Sequence, residues 1–307
     1  MVSKASLSVV ILTLNEERHI ERAIASVRRI ASEIVVVDSF SADRTVELAR
    51  VAGARVFQNR FESQSKQFSW AMERAEIATD WIMRLDADEY IDPDLAANLQ
   101  DAFTTLSTDV GGIKLKRRHI FMGRWIRHGG RYPLTLLRVW RRGMANIENR
   151  WMDEHMVLST GRAVTLDGGF CDHNLNDITF FTDKHNKYAT REAIDVLAEK
   201  YRLFDRRDRS RHLYPTSPKR WVKEGVYNRL PFWLGPMCYF LFRYFIQLGF
   251  LDGREGLIYH FLQCFWYRFL VGAKIEEFDR IIRKLPDRDA QLNALAKMTG
   301  YQFDRLQ

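Results

Sequence analysis

Two aspartates one residue apart, Asp86 and Asp88, directly follow the apolar run Trp81–Leu85. Carboxylates at i and i+2 at a strand end can share a hard divalent cation through oxygen, and Mg2+ or Mn2+ bound to a diphosphate suits such a pair. Acids at strand ends also cap following helices, so the pair alone leaves both readings open. Asp38 closes a second apolar run, Glu33–Val37. It can accept hydrogen bonds from a base or ribose, or it can fold back as an Asx turn. The glycine patterns of P-loop and dinucleotide sites, G-x-x-x-x-G-K-S/T and G-x-G-x-x-G, are absent, which excludes those two chemistries.

The elements that must position these acids follow from hydrophobic periodicity. Ser6–Thr13, Glu33–Val37, Ala54–Phe57 and Trp81–Leu85 read as strands. Between them, Glu16–Ile30 carries an apolar stripe at Ile20, Ala23, Ile24 and Val27, Ala42–Val51 and Ser63–Ile77 are helical, and Pro93–Leu106 begins with Pro at a helix head. Apolar strands joined by helices imply a mostly parallel α/β sheet flanked by helices, with ligands at the carboxyl ends of the strands. Thr13, Asn15 and Glu16, then Asp38, then Asp86 and Asp88 all fall at that edge. Further on, Gly112–Lys116 and Leu134–Trp140 read as strands and Asp177–Leu203 as a helix.

Composition narrows the function classes. The chain has 307 residues with 46% hydrophobic, 17 Gly and 7 Pro, enough for a large core and too little Pro and Gly for a disordered or fibrous protein. Its three cysteines include no CxxC pair, which argues against a disulfide framework or a cysteine zinc site. The apolar run after Met1 is short and gives way at once to Asn15-Glu16-Glu17-Arg18, so a strand is expected there rather than an export signal. Residues 1–110 hold 12 Lys/Arg against 18 Asp/Glu, whereas 111–307 hold 35 against 21. That asymmetry suggests an acidic catalytic half and a basic half in two environments, and not a uniformly basic nucleic-acid binder.

Taken in order, Val9-Val10-Ile11-Leu12-Thr13-Leu14-Asn15-Glu16-Glu17, Ile34-Val35-Val36-Val37-Asp38-Ser39-Phe40-Ser41-Ala42-Asp43-Arg44-Thr45 and Trp81-Ile82-Met83-Arg84-Leu85-Asp86-Ala87-Asp88-Glu89 resemble the family 2 glycosyltransferases of GT-A fold. The likeness is greatest to the bacterial subgroup that builds lipopolysaccharide core and exopolysaccharide. Where the family commonly has Asp-Asp-Gly-Ser, Ser39 and Phe40 replace the second Asp and the Gly. The resemblance implies that Thr13, Asn15 and Glu16 border a nucleotide-sugar, that Asp38 holds its base, and that Lys66 lies near the nucleotide. It further implies that Asp86 touches the ribose or a metal-bound water and that Asp88 holds Mg2+ or Mn2+. Inverting transfer needs a general base, which the family supplies well after the metal-binding acids. Within Trp151-Met152-Asp153-Glu154-His155, Glu154 is the first choice and Asp153 the second. His173 is a candidate for the metal or diphosphate shell, against a purely structural role. Arg117, Arg118, Arg124, Arg127, Arg131 and Arg138 are candidates for acceptor phosphates, against a solvated basic face.

Three regions are expected: 1–110 as the nucleotide-sugar half of the GT-A domain, 111–204 as its acceptor and base half, and 205–307 as helices meeting a membrane. From Phe232 to Tyr267 there are 13 aromatics in 36 residues, in two apolar segments interrupted by Arg243 and Arg268. Helices lying in the interface, with Phe232, Trp233, Phe265 and Trp266 among their lipid contacts and Lys219, Arg220, Lys223 and Arg229 on the flank, fit better than spanning ones. A packed hairpin or a homo-oligomer contact is the alternative. The polymerising-synthase signature Gln-x-x-Arg-Trp is missing, with Ser217 where Gln is required. The expected activity is transfer of one sugar from a nucleotide-sugar, UDP-linked by preference, to a lipid-linked or lipopolysaccharide acceptor at the cytoplasmic face of a bacterial inner membrane. The competing classes are a nucleotidyltransferase, which lacks its glycine-rich activation loop here, and a non-catalytic nucleotide-sugar-binding scaffold.

Overall fold

The apolar strands of the first hundred residues are buried on both faces, and their alternation sends side chains into two separate cores. In β1 (Leu7–Thr13), Leu7, Val9 and Ile11 join one core and Val10 the other. Helix α1 (Ile20–Val27) covers the first with Ile20, Ala23, Ile24 and Val27, all fully buried at i, i+3, i+4 and i+7. Helix α3 (Gln64–Arg74), capped by Ser63, covers the second with Phe68 and Ala71. The computed structural model describes residues 6–147, 155–203, 232–301 and 303. Asp153 and Glu154, and the basic residues Lys219, Arg220, Lys223 and Arg229, lie outside the described residues.

β2 (Glu33–Asp38), β3 (Arg55–Gln58) and β4 (Trp81–Asp86) run parallel to β1 in the order β3-β2-β1-β4, with α2 (Thr45–Val51) joining β2 to β3. The register pairs Thr13 with Asp38 and Leu12 with Asp86, so the three acidic loops leave one edge together. Beyond β4 the sheet becomes mixed. β8 (Leu134–Arg141) is antiparallel to β4 and to β6 (Val110–Phe121), and β11 (Arg162–His173) is parallel to β6. β5 (Glu89–Ile91) pairs with the end of β11, and β7 (Arg124–Ile126) folds back on β6. β9 (Ala145–Ile147) and β10 (Met156–Leu158) form a separate ribbon. Helix α4 (Pro93–Thr105) lays Leu95, Leu99, Ala102 and Phe103 on the first core.

The chain divides into two compact units, Met1–Leu175 and Asn176–Gln307. Residues 1–110 and most of 111–204 therefore share one sheet, and no boundary falls at 110. The helix expected at 177–203, α5 (Ile178–Tyr201), belongs to the second unit. That unit continues with α6 (Leu234–Leu241), a π-helical turn Phe242–Ile246, a 3-10 turn Gly249–Asp252, α7 (Gly253–His260), a second π-helical turn Phe261–Trp266, α8 (Tyr267–Ile282) and α9 (Arg288–Thr299). α5 and α8 pack through Ala189, Tyr267 and Val271. Glu192 accepts hydrogen bonds from the Tyr267 hydroxyl at 2.6 Å and from Arg268 at 2.7 Å. Among the described residues no single helix is long and apolar enough to cross a membrane, although Leu234–Ile246 and Gly249–Ile282, bent by 73°, pass that test as a pair.

Candidate active site

The loops after β1 and β2 are zipped together. Asp38 is fully buried, and its Oδ1 accepts from the Thr13 hydroxyl (3.0 Å) and the Ser41 hydroxyl (2.5 Å). Its Oδ2 accepts from the Ser41 amide (2.9 Å) and Gln58 Nε2 (3.2 Å). A carboxylate offers about four acceptor positions, so these four donors fill it. The turn reading of Asp38 describes this structure, and contact with a base would displace one of the donors. Asn15, at φ +56°, donates its amide to Ser41 Oγ (2.8 Å) and accepts from Ala42 N (2.8 Å) through Oδ1. The Glu16 amide donates to Thr45 Oγ1 at 2.7 Å. Phe40 stands at the tip with φ +61° and 59% exposure, an apolar ring held outward in a costly conformation, as functional sites often show.

The Asp86–Asp88 loop is clamped by Arg84 and Glu89, to which the sequence reading gives no part, and by Arg138, which it offers to acceptor phosphates and which is instead a buried counterion. Arg138 of β8 is buried and bridges two acids, donating to Asp86 Oδ2 (3.0 Å) and Glu89 Oε1 (2.5 Å). Glu89, also buried, accepts the Asp86 amide through Oε2 at 2.9 Å. Arg84 donates from Nε to Asp86 Oδ1 (3.2 Å) and from Nη2 to Gln64 Oε1 of α3 (3.0 Å). Burial opposes ionisation of Asp86, but Arg138 and Arg84 outweigh it and hold the carboxyl well below the usual range. Burial pushes Glu89 up to about 8, with Arg138 opposing and Asp86 and Asp172 adding to the rise. The two acids respond oppositely because Asp86 has two guanidiniums and Glu89 has one. The sequence signal for the clamp was present: an Arg inside a buried strand, Trp81-Ile82-Met83-Arg84-Leu85-Asp86, requires a charged partner.

Asp88 is half-buried and accepts from Asn174 Nδ2 at 3.1 Å. Its backbone carbonyl accepts from the His173 amide (3.0 Å) and from Arg22 (3.3 Å). Arg22 also donates to the His173 carbonyl (2.5 Å) and lies 3.2 Å from His173 Nδ1. Burial, then Arg22 and His19, lower the pKa of His173, so its neutral ring accepts from Arg22 through Nδ1. Nδ1 is thereby engaged, so any part of His173 in a metal or diphosphate shell falls to Nε2. His19, buried on α1's first turn, bonds Glu16 Oε2 at 2.6 Å and accepts the Leu175 amide at 2.8 Å, tying the end of β11 to the first loop. Lys66 does not join this group and pairs at the surface with Glu62 at 2.5 Å.

The basic candidates are partnered in the structure. Arg117 pairs with Asp172 at 3.3 Å, and His119 reaches the same oxygen at 3.2 Å. Burial opposes ionisation of Asp172, yet His119, Arg117 and Arg131 keep it well below the usual range. Arg118 pairs with Asp92 at 2.9 Å and lies 5.1 Å from the centre of the Trp125 ring, with Arg127 at 5.4 Å from it. Arg131 sits in the turn that follows, its amide bonded to the His128 carbonyl.

Among the described residues no three His, Cys, Asp or Glu side chains are grouped as a complete metal cage. The donor chemistry still fits Mg2+ or Mn2+, because such an ion is commonly held by one or two carboxylates with the remaining ligands from diphosphate and water. Asp86 is committed to two guanidiniums, which leaves Asp88 as the carboxylate suited to that ion.

A parallel β3-β2-β1-β4 sheet continued by antiparallel strands, with an Asp-x-Asp loop at the end of β4, defines a GT-A type nucleotide-sugar-binding domain. The sequence pattern of Glycosyl transferase family 2 matches residues 8–166, and the chain belongs to that family. An uncharacterised glycosyltransferase of Rickettsia typhi is 25% identical over 297 residues, covering 94% of this chain and 92% of its own. The lipopolysaccharide core biosynthesis glycosyltransferase LpsC of Rhizobium meliloti is 32% identical over 155 residues, 44% of this chain and 56% of its own. Among solved structures, glucosyl-3-phosphoglycerate synthase from Mycobacterium tuberculosis, in complex with Mn2+, uridine diphosphate and glucosyl-3-phosphoglycerate, is 24% identical with a TM-score of 0.32, over 38% of this chain and 44% of that one.

Proposed function

We propose that this family 2 glycosyltransferase moves one sugar, with inversion, from a UDP-sugar to a lipid-linked or lipopolysaccharide-type acceptor, attached peripherally at the cytoplasmic face of a bacterial inner membrane. The observation that carries the donor half is the clamped loop: Arg138, Arg84 and Glu89 fix Asp86, and the His173 amide and Asn174 fix Asp88, at the edge where the Asp38 loop also ends. Asp88 would hold Mg2+ or Mn2+, which when bound offsets the charge that develops on the leaving diphosphate. Asp86, turned toward its arginines, serves the ribose side, and Phe40 offers its ring to the base. Glu154, or Asp153 in its place, takes the proton of the acceptor hydroxyl as that oxygen bonds the anomeric carbon and the bond to the diphosphate breaks. Arg117, Arg118 and Arg131 favour an anionic acceptor, a reading supported by the similarity to LpsC over part of the chain.

The test is nucleotide release from a panel of UDP-, GDP- and dTDP-sugars with Mn2+ or Mg2+ and a bacterial lipid extract. Metal-dependent release from one donor, reduced at least 100-fold in both Asp88→Ala and Glu154→Gln, is expected. Release that survives Asp88→Ala would overturn the metal assignment. Tight donor binding without release under any acceptor would favour a non-catalytic binder.

A further inference from the structure

The second unit contains an element built inside out. Around the bend between Leu234–Ile246 and Gly249–Ile282, the large apolar side chains point outward: Phe242 is 47% exposed, Phe245 54%, Ile246 71%, Leu248 46%, Phe250 43% and Leu251 49%. The polar residues of the same bend point inward, with Asp252 3% and His260 0% exposed. Arg243 Nε and Gln247 Oε1 are buried without a hydrogen-bond partner, and the Arg243 guanidinium lies 5.5 Å from the Tyr239 ring centre. Gly249 makes the inward packing possible, since a Cβ there would lie 2.8 Å from the His260 ring. Water favours the opposite arrangement, and scattered surface apolar residues do not account for six within ten positions.

We infer that Leu241–Leu251 is a lipid-inserting tip that enters one leaflet of an anionic membrane and turns back. It rests on the peripheral attachment already proposed and relocates its contacts. Leu234–Ile246 is roughly 20 Å long at ~1.5 Å per residue, short of the ~30 Å hydrocarbon core, so this arm enters without crossing. The other expected membrane residues are spread differently. Phe232 lies tilted against Phe269 with ring centres 5.3 Å apart, Trp266 packs with the α5–α8 core, and Arg268 is held by Glu192. From the original set, Phe232 at 44% and Trp233 at 52% exposure keep large apolar surface, alongside the tip around Arg243. Residues 176–307 hold 23 Lys/Arg against 16 Asp/Glu, an excess that draws this unit to anionic lipid.

The experiment is flotation of the full chain with phosphatidylethanolamine/phosphatidylglycerol vesicles, compared with the triple variant Phe245→Ser, Ile246→Ser, Phe250→Ser. The variant should melt like the parent and release nucleotide in vesicle-free buffer at the parent rate, while its vesicle-bound fraction falls at least tenfold. The parent should stay bound in high salt. A second measurement places a polarity-sensitive dye at Ile246→Cys in a Cys238→Ser background, Cys171 and Cys264 being buried; its emission should shift to the blue on adding vesicles. Equal flotation of parent and variant, or a dye that stays in water, would overturn the tip. So would a concentration-dependent dimer that the triple variant abolishes without any vesicle binding. Flotation without nucleotide release from any donor would instead strike the catalytic reading and leave the tip standing.

Discussion

Arg138→Met is the sharpest test of how the acidic edge is built. In the wild type one guanidinium nitrogen bridges Asp86 Oδ2 and Glu89 Oε1, all inside the first unit. Removing it leaves Asp86 with Arg84 alone and Glu89 with only a backbone amide. Loss of one partner from a buried ionic network costs ~3–5 kcal/mol. At ~2–4 °C per kcal/mol for a unit of this size, the melting point should fall by roughly 6–20 °C. The pH dependence fixes the cause. Glu89 has a folded pKa of about 8, above its ordinary 4.5, so the folded state binds the extra proton between those values. Stability tied to that proton is present at low pH and lost as pH rises through 8. Without Arg138 the opposing pull disappears, Glu89 holds its proton more tightly, and the penalty at pH 6 falls near the lower bound. At pH 9 the wild-type carboxylate ionises beside Arg138, whereas the variant must hold either an uncompensated charge or a proton against the medium, and the penalty approaches the upper bound. Adding Glu89→Gln should recover most of the loss and flatten the difference between pH 6 and 9. Thermal denaturation of the four proteins at the two pH values is the assay. A drop below 3 °C at pH 9, or no recovery in the double variant, would refute Arg138 as the buried counterion.

Two further substitutions probe the packing that supports the site. Gly169→Ala should cost ~1–3 kcal/mol in denaturant melts, because the new methyl collides with the Asp92 carboxylate and lies 2.7 Å from Arg118 NH1, forcing that ion pair apart. In the second unit, Glu192→Ala should cost ~1–2 kcal/mol by leaving the Tyr267 hydroxyl and Arg268 without their shared acceptor. Because Glu192 and Arg268 are part-exposed, the loss should stay below that of Arg138→Met in the same assay, although Tyr267 is buried.

The first half of the fold was legible because burial on both faces leaves an unmistakable pattern. Strands β1, β2 and β4 are runs of Val, Ile and Leu, and α1 repeats its apolar residues at the helical period. The three edge loops were legible for the same reason, since strand ends fix where polar residues must emerge. β11 escaped notice because Gly168 and Gly169 interrupt its alternation, and they do so to let Asp92 and Leu95 approach. The short β5 and β7 carry too few residues for a period to register. Within the site, Asp86 and Asp88 could be placed at the end of a strand from sequence, but the clamp from β8 that holds Asp86 was not readable. It depends on Arg138, 52 positions away in sequence, and on a strand pairing that no local pattern encodes.

The charge asymmetry has a different physical origin from the one its sequence distribution suggests. Acidic residues before position 110 and basic residues after it look like two electrostatic environments, yet β8 and β6 of the basic segment lie in the same sheet as β4. Arg138 on β8 neutralises Asp86 and Glu89, and Arg118 on β6 neutralises Asp92. Asp172 on β11 returns the exchange by pairing with Arg117. Much of the basic segment's charge near the site is therefore neutralised inside the fold, which allows carboxylates to be buried at this strand edge. Under the proposed function an acceptor phosphate would compete with Asp92 and Asp172 for Arg118 and Arg117, loosening β11, whose last residue His173 donates its amide to the Asp88 carbonyl. Coupling between acceptor and metal would then follow from ion pairs that brace the loop rather than from a separate device. Removing Arg118 should weaken acceptor use and Asp88-dependent turnover together.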